Sequence, residues 1–234
     1  MRPFEIILLT LLGVSAIQIL FSAREKNQTK LLMKFIFPVL LIHLFLEQYR
    51  WQMFPAYVSI IMLIFLQKKS IHSIIKFLFF IWVGLSVSLP AVIPIIKMPD
   101  LTGPYTIGSS IHHWVDESRM EWFTDEDPDD MRQIMVQFWY PAEKVKKVKR
   151  TPYVDHINTR TKSIGIAGGF PGFLVRHIEL TKTNSYLDLE VDPAPAPFPI
   201  IIFSHGITSM RYLHTSFAEK LANHGYAVIG LDHS

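Results

Sequence analysis

Cysteine is absent from the sequence. Disulfides, cysteine-type zinc sites and thiol catalysis are therefore excluded, whereas the redox compartment stays open. Acidic residues are scarce in the first part. Residues 1–96 carry three Asp/Glu against nine Lys/Arg, a net of +6, and residues 97–234 carry seventeen against fourteen, a net of −3. The basic pI of about 9.0 thus belongs to the N-terminal part alone. Nucleic acid is not the partner this charge points to, because the remainder is mildly acidic.

Metal-ligand patterns are wanting as well. His112 and His113 are adjacent, so in a strand they point to opposite faces and cannot chelate one ion. Asp125, Asp127 and Asp129 have the first spacings of a calcium loop. Pro128 interrupts it, Asp130 stands where glycine belongs, and Val136 replaces the final glutamate. A solvated acidic loop is the reading. The run VKKVKR (145–150) is a charged surface loop, with anionic lipid headgroups as its alternative use. No metal or cofactor is expected.

Hydrophobic residues are abundant, at half of the chain, and they cluster early. Apolar runs cover residues 4–21, 32–46, 53–66 and 74–96. Crossing a bilayer takes ~20 mainly apolar residues. The first and last runs meet that length, and the middle two are shorter, with Lys34, His43 and Glu47 near their ends. About four spans are expected, the middle two having a re-entrant pair as alternative. Glu5 stands where a signal peptide carries basic charge, so a cleaved leader is not expected. Arg24, Lys26 and Lys30 follow the first run, and Lys68, Lys69 and Lys76 separate the third from the fourth. Positive loops stay inside. Both ends of the region then face outward, predicting a multi-pass protein of the plasma membrane whose second part is extracytoplasmic. His43 and Glu47 share a helical face, open to a proton relay or, more commonly, to an interfacial pair.

The boundary falls near Lys97, after Pro90 and Pro94. Beyond it, residues 131–143 alternate as a strand, with Ile134, Val136 and Phe138 on one face and Met135, Gln137 and Trp139 on the other. Residues 105–115 alternate less cleanly, as an early edge strand does. Ile200–Phe203 reads as a fully buried strand of a parallel sheet. His205-Gly206 turns the chain into a helix with Leu213, Phe217 and Leu221 on one face and Ala218 and Ala222 beside them. Gly225 suits a left-handed C-cap, and residues 226–231 form a second buried strand. The product is a βαβ unit.

The segment PIIIFSHGITSMRYLHTSFAEKLANHGYAVIGLDH (199–233) resembles the oxyanion region of α/β-hydrolase esterases of the plasma and bacterial platelet-activating-factor acetylhydrolase family. LTGPYTIGSSIHHWVDESRMEWF (101–123) and MRQIMVQFWYPAE (131–143) are similar to the family's first two strands. GGFPGFLVRHIELTKTNSYLDLEVDPAP (168–195) is similar to the segment before its third. The resemblance implies an incomplete α/β-hydrolase domain over 97–234, holding strands 1–4 and the first helix. It also implies a serine esterase that cleaves short or oxidised acyl esters of phospholipids through an acyl-serine, without cofactor. The backbone N–H of Ile207 would be one oxyanion donor, and His205 and Gly206 would shape its turn.

No G-x-S-x-G pentapeptide occurs in the sequence, so the family's nucleophile, and the Asp and His that follow it, are absent. Ser204 ends a strand outside any such elbow and is read as structural. His205 and His233 are not the family's base by order, and His233 has no assigned role. In the family's order 1-2-4-3-5 the strand at 200–203 needs a fifth strand beside it. An open edge is expected here, with another chain to cover it. Residues 165–180 lie by the family's active-site mouth, as a lipid-facing or a core-covering helix. A non-catalytic membrane protein that pairs with a partner by strand addition is the rival reading. A transporter-like role fits less well, since the apolar runs hold little charge.

Overall fold

The computed structural model describes residues 1–21, 26–66, 72–122, 124, 127, 129–144, 148–193, 197–206 and 209–232, with residues 26–30 described as backbone. Several residues singled out above lie outside that set: Ile207, His233, Asp125, Pro128, the loop cations Arg24, Lys68 and Lys69, and residues 145–147 of the basic run. The chain divides into two compact units, Met1–Ile95 and Ile96–Ser234.

The first unit holds α1 (Pro3–Phe21), α2 (Lys26–Ile42), α3 (Phe54–Leu66) and α4 (Ser73–Val92). Leu8, Leu12, Ile36, Met53, Ile60, Leu63, Phe79 and Val83 make its core. Among the described residues, only α1 and α4, at 19 and 20 residues, are long and apolar enough to cross a membrane. The expectation of about four spans is corrected accordingly. α2 opens on the polar sequence KNQTK, contains Pro38 and passes into a π-helical turn at His43–Glu47, while α3 has 13 residues. The multi-pass and extracytoplasmic expectations have no further support in the fold.

A buried polar network joins the helix ends of this unit. Glu5 and Arg50, both fully buried, form two contacts of 2.7 and 2.9 Å. Arg50 also donates to the carbonyls of Pro90 and Ile93, at the end of α4. The carboxylate of Glu47 accepts the N–H groups of Phe4 and Glu5 at the start of α1, where a negative charge meets the positive end of the helix dipole. His43 bridges Glu47 (3.0 Å) and the Tyr57 hydroxyl (2.8 Å). The His43–Glu47 pair is therefore buried in a structural network rather than left at an interface.

The second unit is a six-stranded mixed sheet in the order β3-β4-β1-β2-β6-β5. β1 (Thr106–Met120) and β2 (Met131–Ala142) form a long antiparallel hairpin. β3 (Arg150–Pro152) and β4 (Lys182–Leu187) extend one side, with β4 parallel to β1. These two strands were not expected; each is short, and its buried positions, Thr151 in β3 and Thr183 and Ser185 in β4, are polar, which masks the alternation. On the other side β6 (Ala227–Asp232) pairs antiparallel with β2, and β5 (Ile200–Ser204) pairs parallel with β6. α5 (Ile157–Gly168) precedes two 3-10 turns, and α6 (Thr215–Asn223) links β5 to β6. Gly225 closes α6 at φ 94°, a conformation that glycine adopts without steric cost.

β5 sits at the sheet edge, as the expected strand order requires, yet it is not fully buried: Ile200 and Ile202 are 65% and 66% exposed. The face of α6 is corrected too. Leu213, in a 3-10 turn ahead of the helix, and Phe217 are exposed, while Leu221 packs as expected beside Ala218 and Ala222 against Ile107, Trp139 and Val228. Only small side chains let the helix approach the sheet there. Gly230 is small for a similar reason, since a Cβ would lie 2.7 Å from the Phe203 ring and 3.0 Å from Trp139.

Candidate active site

In open α/β sheets ligands bind beyond the carboxyl ends of the parallel strands. Here those ends belong to β5 and β6, where Ser204 pairs with Leu231. His205 and Gly206 leave β5 at this point. The turn closes by a hydrogen bond of 3.1 Å from the Ser209 N–H to the Gly206 carbonyl, and His205 Nδ1 lies 2.9 Å from the same oxygen. Ser204 is the exposed last residue of β5. Of the expected trio, His205 and Gly206 stand together at the strand end and Ile207 lies outside the described residues.

Next to the turn lies a ring of four charges that the sequence did not announce. Arg211, fully buried, pairs with Asp232 and, at 2.7 Å, with Asp155. Arg160 completes the ring with Asp155 at 2.9 Å and Asp232 at 2.9 Å. Two cations and two anions alternate, so the ring is neutral and each buried charge is compensated. Burial pushes the Asp155 carboxyl up, but the Arg211 and Arg160 guanidinium groups outweigh it and leave its pKa below the ordinary value. Asp232 also accepts the backbone N–H of Arg211 at 2.7 Å and lies 3.8 Å from His205 Nε2. Gln137 on β2 accepts from Arg211 Nε and donates to Ser109 on β1. An aromatic wall completes the surroundings: Tyr153 meets Tyr212 edge-on at 5.5 Å, and Arg160 lies over the Tyr212 ring.

The sequence signal for this ring was slight: an arginine between Met210 and Tyr212, and an aspartate ending an apolar strand. A charge at the carboxyl end of a buried strand is where chemistry collects in such sheets. The tertiary partners Asp155 and Arg160 carry no local mark at all.

The segment expected at the site mouth splits both ways. α5 stops at Gly169 in the left-handed conformation, and 3-10 turns at Gly172–Leu174 and Arg176–Leu180 follow. Ile178 packs against Met98, Tyr153, Val154 and Tyr212, whereas Ile166 and Phe173 face outward. Lys162, Ile166, Phe170 and Pro171 line a shallow depression of about 440 Å³. His112 and His113 bond Ser110 and Gln133 respectively, and among the described residues no three His, Asp or Glu side chains converge to hold a metal.

Residues 91–234 match the family described as platelet-activating factor acetylhydrolase, isoform II. A curated protein of Schizosaccharomyces pombe described as a putative phospholipase A2 is 28% identical over 150 residues, 58% of this chain and 32% of its own length. A ferulic acid esterase from Streptomyces cinnamoneus aligns at 26% identity and a TM-score of 0.45, over 59% of this chain and 36% of its own. The chain thus spans about a third of the length of either relative. With the family matched over more than half of its residues and a six-stranded mixed sheet in the second unit, the chain belongs to the platelet-activating factor acetylhydrolase family.

Proposed function

We propose that this chain supplies the membrane-held first part of a serine esterase acting on acyl esters of phospholipids, with short or oxidised acyl chains as the preferred class. The family match over residues 91–234 carries the reading, and the turn at the carboxyl ends of β5 and β6 supports it. In this reading the Ile207 N–H, on the turn begun by His205 and Gly206, donates to the oxyanion of a tetrahedral intermediate. One such donor is worth about 3–4 kcal/mol in the transition state. The reaction passes through an acyl-serine, from a serine that these 234 residues do not include in a G-x-S-x-G elbow. No cofactor takes part. The outward Ile166 and Phe173 suit acyl chains at the mouth.

Membrane residence rests on the first unit. Ile7, Phe35, Phe65 and Phe77, one from each of its four helices, face outward while Glu5, His43 and Arg50 are buried. Water-soluble proteins rarely show apolar patches of that extent. α1 and α4 cross the bilayer, α2 and α3 pack beside them as a shorter pair, and the loop charges put the hydrolase unit outside the cytoplasm. Fluorophosphonate labelling of the native membrane protein tests the esterase: covalent labelling is expected, and an unlabelled protein refutes it.

The open edge of β5, with Ile200 and Ile202 exposed, favours a second reading in which the unit binds a partner by strand addition without catalysis. Crosslinking from position 202 to another chain, without labelling, is its expected signature.

A further inference from the structure

Helix α5 has little of its own to hold it. Its sequence, INTRTKSIGIAG, contains two glycines, two threonines and a serine, all weak helix formers. It buries only Thr161 and Gly165, and no side chain caps its start. The chain enters it through His156 at φ 46°, a left-handed conformation that is unfavourable for a residue with a side chain. Short helices of this kind depend on tertiary contacts. The charge ring supplies them on both sides of His156. Asp155 pairs with Arg211 at 2.7 Å, and Arg160, in the first turn, spans Asp155 and Asp232 at 2.9 Å each. Asp232 ends β6, whose ladders to β2 and β5 fix its backbone.

We propose that Arg160 is a positioning residue that docks α5 onto the carboxyl end of β6, so that α5 and the turns after it form one wall of the substrate entrance. The inference deepens the esterase reading and rests on it for its effect on substrate. Ligands of open α/β sheets gather beyond these strand ends, and Arg160 brings α5 there through Asp232. Farther along the segment, Ile166 and Phe173 face outward, and the exposed Lys162 shares the rim of the depression with Ile166, Phe170 and Pro171. A cation beside apolar side chains suits a phospholipid, with its phosphate and acyl chain, and offers little to a small neutral ester. Arginine fits the docking role because its planar fork can hold two carboxylates at once, which the point charge of lysine does not match.

Hydrogen–deuterium exchange on the full-length protein, with hydrolysis of two esters by the same preparation, tests this. In Arg160→Ala, peptides covering 157–168 should exchange at least fivefold faster, while peptides of β1 and β2 keep wild-type protection. Arg160→Lys should fall between wild type and Arg160→Ala. Arg176→Ala removes an exposed pair with Glu179 in the turns after α5 and should leave exchange at 157–168 unchanged. In Arg160→Ala the KM for dihexanoyl phosphatidylcholine should rise at least fivefold, with kcat for p-nitrophenyl acetate kept within twofold. If Arg160→Ala fails to fold, Arg160→Lys carries the same test in weaker form. Unchanged exchange at 157–168, or an equal rise in β1 and β2, overturns the docking. A phospholipid KM that stays put, or that moves no more than the KM for p-nitrophenyl acetate, overturns the entrance role. A wild type without turnover that still shows the exchange pattern refutes the esterase reading and leaves the docking standing.

Discussion

Glu5 and Arg50 meet as a doubly bonded pair, 2.7 and 2.9 Å apart, with neither side chain exposed. Forty-five residues separate them, and through them the start of α1 is tied to the end of α4, whose Pro90 and Ile93 carbonyls Arg50 also holds. Removing Glu5 leaves the buried Arg50 charge without a carboxylate, which costs about 3–5 kcal/mol, whereas removing Arg50 leaves Glu5 its second partner Arg2 at 2.9 Å and costs less. Glu5→Ala should lower the unfolding midpoint of the detergent-solubilised protein strongly, and Arg50→Ala less. The double variant should be less destabilised than the sum of the two, and strict additivity would contradict the pairing.

Gly230→Ala places a methyl group 2.7 Å from Phe203 and 3.0 Å from Trp139, two rings stacked 6.2 Å apart. Overpacking of a tight core costs about 1–3 kcal/mol. Chemical denaturation should show a loss of that size, with partial recovery in Gly230→Ala/Phe203→Leu. An unchanged midpoint would mean that the ring has room to move.

Glu219 gives the stability of the second unit a pH dependence. Its buried carboxyl accepts from the backbone of Asn184 and Ser185 and from the Ser185 hydroxyl. Burial raises its pKa, and those hydrogen bonds only partly oppose the rise. A raised acid binds its proton more tightly when folded, so its contribution falls as pH climbs from about 4.3, the unfolded value, through the folded one. Asp155, held low by Arg211 and Arg160, acts in the opposite sense: its contribution is present above about 3.9 and lost as pH falls through the folded pKa. Glu219→Gln should therefore flatten the decline above pH 4.3 and leave the acid limb in place. A profile identical to wild type would show that Glu219 does not titrate in that window.

Ile202→Lys introduces charge on the exposed face of the edge strand, where Ile202 contributes little to the core. Charge on an edge disfavours pairing with another strand. Self-association of the solubilised protein should decrease with little change in unfolding midpoint. A folded variant with undiminished association would place the contact elsewhere.

The βαβ unit was legible because two β-branched runs, a His-Gly turn and Gly225 each mark their own place. The helix face was misread at Leu213 and Phe217, since apolar periodicity favours large residues. Close approach to the sheet instead selected Ala218 and Ala222, with Glu219 beside them hooking β4. The His43–Glu47 spacing was visible, but its partners Glu5, Arg50 and Tyr57 lie on other elements. At the site, His205 and Gly206 were readable from a motif. Arg211, Asp232, Asp155 and Arg160 were not, because a neutral ring of buried and half-buried charges looks like solvated surface until the fold assembles it. The two long apolar helices carried their own length. The middle runs did not, since Pro38 and the polar start of α2 shorten what hydropathy suggests.

The most direct measurement is fluorophosphonate labelling of the native protein with intact-mass readout in the same sample. The esterase account predicts a covalently labelled species heavier than the 27.0 kDa of these 234 residues, with the label on a serine in a G-x-S-x-G elbow. An unlabelled protein would contradict it and turn attention to whatever chain pairs with β5.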